Sequence, residues 1–428
     1  MKSFKYLPLV IFILVLAFSG CKKDQEEGET VEEIVSPTTG TRKQFTLDSI
    51  FLYAKQVYLW NDALPTYAVF DPRTKYGNIT SDLTAFNTEL FDITQLKINT
   101  TTGLPYEYRG VAGVPKYSYL VSGVSGGGQV AGLTDAVAVN PVTLSSAITS
   151  GTKQVGYVVL SSFPKLSESQ SYLDDTFSKL AAASVTDLVI DLRSNGGGYV
   201  ETAEYIANLI ASTTLNGKKM YSEQFNTQMQ NDQALILRHQ PYLDANGKAV
   251  TYQGRPATMA DVDFKESANT YNFSKKGTLD NLKSVYFIVS GSTASASELL
   301  INCLKPYMNV KLAGTKTYGK PVGFFGVVVD KYTVYMSSFS LKNANGSSDY
   351  YNGMPVDLSV VADGAYPLGD VRENCLKTVL ADIAAAGTAK TALVITDRLS
   401  TLKSGSSSAV AVSDAQSLLI ENRLKIKK

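Results

Sequence analysis

The sequence predicts a mixed α/β fold (α+β mixed) with a small helical region ahead of it, and three observations point there. Short apolar runs of the kind that form buried strands alternate with amphipathic segments after Gln154. One of those runs passes directly into a glycine-rich turn, as strands do before a following helix. Hydrophobic residues make up 44% of the 428-residue chain, enough for a packed core. Strands alternating with helices imply crossover connections and a partly parallel sheet.

Over Thr46–Trp60 the apolar residues Leu47, Ile50, Phe51, Ala54, Val57 and Tyr58 recur at helical spacing. A second helix is predicted over Ser81–Phe91, with Leu83, Phe86 and Leu90 on one face. Residues 45–100 thus read as a helical N-terminal region. Residues 101–153, rich in Gly, Ser, Thr and Val, read as short strands and loops. The α/β region is placed at 154–386. Its predicted strands are Val155–Leu160, Leu188–Asp191, Val285–Ser290 and Val310–Ala313, with a hairpin-like pair over Gly323–Ser338. Its predicted helices are Ser167–Leu180, Val200–Ser212, Ala296–Leu304 and Glu373–Ala385. Within it, residues 213–283 are polar and read as an irregular insertion. Residues 387–428 read as an appendage of mixed strand and helix.

Charge and composition exclude several function classes. Lys plus Arg number 40 and Asp plus Glu 39, so no basic excess marks a nucleic-acid binder. The only histidine, His239, lies in the polar insertion, so a Ser-His-Asp triad would have to use it and histidine-rich metal sites are excluded. Of the three cysteines, Cys303 and Cys375 lie in apolar, helix-like contexts, and a disulfide between them stays open. With no CxxC pair, a structural zinc site is not expected.

The N-terminus reads as a targeting segment. Lys2 and Lys5 precede a twelve-residue apolar run, Leu7–Phe18, too short to span a bilayer. The run ends in Phe18-Ser19-Gly20-Cys21, which resembles a bacterial lipoprotein signal with Cys21 acylated; an ordinary signal peptide is the plainer alternative. Residues 1–21 are then the signal and the polar stretch 22–44 a flexible tether. The expected location is the cell envelope, lipid-anchored at the periplasmic face or the outer-membrane surface. No later apolar run reaches spanning length.

Three segments carry candidate chemistry. Asp191-Leu192-Arg193-Ser194-Asn195-Gly196-Gly197-Gly198 is a strand end running into a glycine turn whose amides can point at a developing oxyanion. As an isolated stretch it is equally a plain strand-to-helix loop. Gly291-Ser292-Thr293-Ala294-Ser295-Ala296-Ser297-Glu298 crowds small residues at a strand-to-helix turn, where nucleophilic serines are often exposed. Ser295-x-x-Glu298 also fits a helix capping box, and both readings can hold. Thr317-Tyr318-Gly319-Lys320-Pro321-Val322-Gly323 holds a lysine on a tight turn, although lysines are usually solvated.

Together the three resemble the C-terminal-processing, or tail-specific, serine peptidases, which carry D-L-R-x-N-x-G-G, S/T-A-S-A-S-E and T-x-G-K. The family nucleophile falls on Ser295. The family lysine follows 25 residues later, which lands on Lys320. The resemblance covers about 154–386 and ends in Gly353-Met354-Pro355-Val356-Asp357, matching the family's G-x-P-x-D. It implies a ClpP/crotonase-like core, Ser295 as nucleophile and Lys320 as general base. It also implies an oxyanion hole from the amides of Gly198 and Ala296, with Gly197 and Gly323 lining the substrate cleft. Protein or peptide substrates are implied, by a mechanism that needs neither metal nor cofactor, and the lipoprotein signal suggests a Bacteroidetes-like member. Two features depart from the pattern. Phe324 stands four residues after the lysine, where many members have a glutamine that orients the amine. Residues 101–153 are too few for the usual PDZ domain and read as a remnant at most. A catalytically weak or inactive lipoprotein that binds peptides or other ligands on this scaffold is therefore the alternative, with a purely structural lipoprotein behind it.

Overall fold

A seven-stranded sheet forms the centre of the molecule. From edge to edge its strands are Leu358–Ser359, Asn309–Gly314, Ser284–Val289, Asp187–Asp191, Lys153–Leu160, Val142–Ser150 and Ile395–Thr396. The first five run parallel; Val142–Ser150 and Ile395–Thr396 are antiparallel to their neighbours. The computed structural model describes residues 37–123, 139–244, 247–386, 395–396 and 423–428.

Successive side chains of a strand go to opposite faces. Val158, Leu160, Leu188, Ile190, Val285 and Phe287 face one core, shared with helices Leu166–Ala182, Val200–Ile210 and Ala296–Leu304. Val155, Tyr157, Val159, Val189, Tyr286 and Ile288 face the other, covered by helix Asn374–Ala385. Burial on both faces explains why the parallel strands read as continuous apolar runs rather than alternating ones. Cys303 and Cys375 are buried free thiols in these two different cores, so the disulfide left open above is not formed.

Two antiparallel sheets flank the centre. One is ordered Val322–Gly323, Phe339–Asn343, Lys219–Phe225, Thr270–Asn272. The other is Tyr119–Ser122, Tyr332–Tyr335, Gly326–Val329. The stretch 213–283 is therefore not wholly irregular. It reads as polar because its strand Lys219–Phe225 buries Ser222 and Glu223 as well as Met220 and Tyr221. The division at 154 also cuts a hairpin: Val142–Ser150 turns through Gly151, at φ 63°, into Lys153–Leu160.

The N-terminal helix spans Arg42–Val57 and starts inside the expected tether. Thr41 and Gln44 form a reciprocal capping box there. Ser81 caps the second long helix, Asp82–Thr94, by accepting from the Thr84 N–H. The signal segment with Cys21, the tether up to residue 36, part of the proposed PDZ remnant (124–138) and most of the 387–428 appendage lie outside the described residues. Among the described residues no helix is long and apolar enough to cross a membrane.

Candidate active site

The three motifs lie at the C-terminal ends of three adjacent parallel strands. Asp187–Asp191 runs into the glycine turn, Ser284–Val289 into the serine turn and Asn309–Gly314 into the lysine turn. That edge of a parallel sheet is where ligands are bound in open α/β folds.

Ser295 is the N-cap of helix Ala296–Leu304 and adopts φ 60°, ψ −120°. A side-chain-bearing residue held in such a sparsely populated region costs of order 1–3 kcal/mol and persists only where its surroundings fix it. Here the fixing is visible: the Ser295 N–H donates to Glu298 Oε2 at 3.1 Å, and the Leu299 N–H donates to the Ser295 carbonyl at 2.9 Å. The hydroxyl is not used in capping. Ser295 Oγ is buried and has no hydrogen-bond partner among the described residues, Lys320 Nζ included.

The glycine turn lies against this serine. Asn195 organises it, accepting from the Gly197 N–H at 2.8 Å and donating to the Leu160 carbonyl at 3.1 Å. A Cβ on Gly197 would sit 3.0 Å from Ser295 Cβ, and one on Gly198 would sit 2.1 Å from the Phe163 carbonyl oxygen, so neither position admits a side chain without movement. The N–H groups of Gly198 and Ala296 have no acceptor among the described residues, whereas that of Gly197 is already engaged. Two unused amide donors beside a serine hydroxyl are what an oxyanion hole requires. The Asp-Leu-Arg segment braces the turn: Arg193 forks onto Asp191 and onto Glu373, and Tyr157 donates to Asp191. Burial would raise the Glu373 carboxyl, but hydrogen bonds and charge from Arg193 hold it below its ordinary value.

Lys320 is buried, with 4% of its surface exposed. Burial pushes its amine down to about 8, against the opposing pull of Glu107 and Glu298. Its Nζ lies 4.9 Å from the centre of the Phe324 ring, the residue standing at the family's glutamine position. The loop is shaped by close backbone contact. Gly319, at φ 87°, leaves no room for a Cβ against Gly353 and Tyr350. Gly353, at φ 85°, has none against the Thr317 carbonyl. Asp357, at the end of the Gly-x-Pro-x-Asp segment, accepts from the Leu312 N–H at 2.8 Å and so docks that segment on the lysine's own strand. Gly323 is buried in the short strand paired with Phe339, and its carbonyl accepts from the Ser338 N–H.

Glu298 joins the two turns. Its Oε2 accepts from the N–H of both Ser295 and Lys320, and its Oε1 from the Gly319 N–H and the Thr317 hydroxyl. The sequence pointed to this residue only as a helix cap. Glu107 was not singled out; it is fully buried, accepts four hydrogen bonds and lies close enough to Lys320 to act on its charge. Nothing local in Tyr106-Glu107-Tyr108 marks it, because its partners Ser118 and Ser337 are distant in sequence. His239 is exposed at the end of a short 3-10 turn and does not belong to this constellation.

Residues 154–347 match the family model described as Peptidase family S41. A chloroplastic C-terminal processing peptidase of Tetradesmus obliquus is 26% identical over 204 residues, covering 45% of this chain and 34% of that protein. The chain thus spans about a third of the length of the curated relative it matches. Among solved structures, an S41 protease candidate of Bacteroides fragilis is 23% identical, with 58% of this chain and 59% of that one covered at a TM-score of 0.43. The photosystem II D1 C-terminal processing protease is 15% identical, covering 75% and 94%, at 0.46. Through residues 154–347, a little under half of its length, the chain is similar to peptidase family S41.

Proposed function

We propose that this protein is a serine endopeptidase that cleaves protein or peptide substrates through an acyl-enzyme on Ser295. The observation that carries the reading is a buried lysine, its amine lowered to about 8, whose backbone N–H donates to the same Glu298 oxygen as the backbone N–H of a strained serine. A serine hydroxyl needs a base to become nucleophilic, and a lysine serves only when neutral. Neutral Lys320 takes the Ser295 proton as Oγ attacks the substrate carbonyl. The Gly198 and Ala296 amides receive the oxyanion. Lys320 returns the proton to the departing amine; a water, deprotonated by the same lysine, then attacks the acyl carbon, the bond to Ser295 Oγ breaks, and Lys320 returns the proton to Oγ as the acid leaves. Oγ and Nζ are not bonded to each other in this structure, so this mechanism requires that substrate entry bring them together. Cys21 is proposed as the lipid attachment that holds the enzyme in the cell envelope, a reading supported by the Leu7–Cys21 pattern.

The same absence of an Oγ–Nζ bond, with Phe324 in place of glutamine, favours a second reading: a weak or inactive member that binds peptides. Cleavage of casein or of a peptide library separates the two. The enzyme reading expects cleavage that disappears in both Ser295→Ala and Lys320→Ala. Equal behaviour of all three proteins removes it. Intact mass of the mature N-terminus, with and without Cys21→Ser, tests the anchor.

A further inference from the structure

The peptide bond joining Gly319 to Lys320 is gripped at both ends. Its N–H, on Lys320, donates to Glu298 Oε2 at 2.8 Å. Its carbonyl, on Gly319, accepts from the Tyr117 hydroxyl at 2.5 Å. The first grip comes from the helix that carries the serine. The second comes from residues 107–118, outside the 154–347 family match. Tyr117 is itself fixed, since its N–H and that of Ser118 both donate to Glu107 Oε2, at 3.2 and 2.8 Å. Glu107 Oε1 accepts from the Ser118 and Ser337 hydroxyls, at 2.7 and 2.8 Å. Four donors fix it in place and favour its charged form, against the burial that raises its carboxyl above the ordinary value. The contact is reinforced by the Tyr318 hydroxyl, which donates back to the Lys116 carbonyl, and by the Lys116 amine over the Tyr117 and Tyr318 rings.

We propose that Tyr117, held by Glu107, is a positioning residue for Lys320, supplied by the segment ahead of the family core and replacing the orientation that a glutamine at position 324 would give. The proposal rests on the serine-peptidase reading. The charged groups acting on the Lys320 amine are Glu107 and Glu298. Lys116 faces the same two carboxylates, and burial pushes it down to about 8 as well. Tyr58 and Tyr117, beside Glu107, are kept protonated by burial.

The test is the rate at which a fluorophosphonate labels Ser295 in the full-length protein, followed between about pH 6 and 10. A Lys116→Gln background removes the neighbouring amine that titrates in the same range. Tyr117→Phe deletes only the hydroxyl and is expected to slow labelling about tenfold. Glu107→Gln keeps an acceptor for both amides but removes a negative charge near the amine, so the limb on which labelling rises with pH should move to lower pH. A merely structural role for Glu107 would change the melting temperature without moving that limb. If Tyr117→Phe does not fold, the Glu107→Gln profile decides alone. Wild-type rate and pH profile in folded variants overturn the proposal. Absence of Ser295-dependent labelling in the wild type instead removes the peptidase reading, and this inference with it.

Discussion

The backbone amides of Ser295 and Lys320 donate to one atom, Oε2 of Glu298, at 3.1 and 2.8 Å. The proposed nucleophile and base are thereby referenced to a common point, although they follow the ends of different strands. The other oxygen is filled by Thr317 and Gly319, and the Thr317 hydroxyl accepts in turn from the Met354 N–H. Burial raises the Glu298 carboxyl above its ordinary value, and these four donors oppose that shift by favouring the charged form.

Glu298→Gln should therefore disable the site without unfolding the protein. An amide offers one acceptor oxygen, and its NH2 would face at least one backbone N–H, which cannot accept. Leaving buried donors unmatched costs about 1–3 kcal/mol. The expected result is a loss of about a hundredfold in kcat/KM with a lowered Tm, read from peptide hydrolysis and thermal melting.

Activity should rise with pH. In the proposed mechanism only neutral Lys320 accepts the serine proton, and burial lowers its amine to about 8. The profile of kcat/KM should climb about tenfold per pH unit below that value and level above it. Lys320→Arg should be inactive across the range, because a guanidinium does not give up its proton.

The helix Ala296–Leu304 was legible to the residue, because a buried strand, a small-residue turn and an apolar stripe all agree there. The order of the three motif-bearing strands was not. It depends on which strands pair across the chain, and local periodicity carries no record of that. Ser295, Lys320, Gly198 and Ala296 came from the resemblance of three motifs to a peptidase family, and the sheet brings the strand ends that carry those motifs side by side. Glu298 was visible only as a cap, because its bonds to Lys320 and Gly319 span more than twenty residues. The Tyr117 grip on Gly319 spans 202 residues and leaves no local pattern at all.

Lys320→Met should stabilise the fold while abolishing activity. In the unfolded chain the amine binds its proton up to about 10.5, in the folded protein only to about 8. Between those values the unfolded state holds more protons, so native stability rises with pH there. Below about 8 the full penalty applies, on the order of 3 kcal/mol. Denaturant titration should show the methionine variant more stable by about that amount at neutral pH, with the gap closing toward pH 10.5.

Gly198→Ala should damage the proposed oxyanion site more than the fold. The added methyl meets the Phe163 carbonyl at 2.1 Å, and φ is 139°. The turn must shift, taking the Gly198 amide with it. Loss of one such donor costs about a hundredfold or more in kcat, which steady-state kinetics would show at unchanged KM.

Phe324→Leu tests what replaced the glutamine. The ring face, 4.9 Å from Lys320 Nζ, attracts the ammonium and not the neutral amine, so it opposes the effect of burial. Such a contact is worth about 0.5–2 kcal/mol, or roughly half a pH unit to one unit and a half. Leucine removes the attraction but keeps the site apolar, so the amine should lose its proton more readily and the rising limb of the activity profile should move to lower pH. A competing effect has the opposite sign. The smaller side chain leaves a gap, and water entering it would solvate the ammonium and move the limb upward. Small apolar cavities stay dry, so the downward shift should win. An upward shift would show that water reaches the lysine, and that the phenylalanine serves as a plug and not as an electrostatic partner.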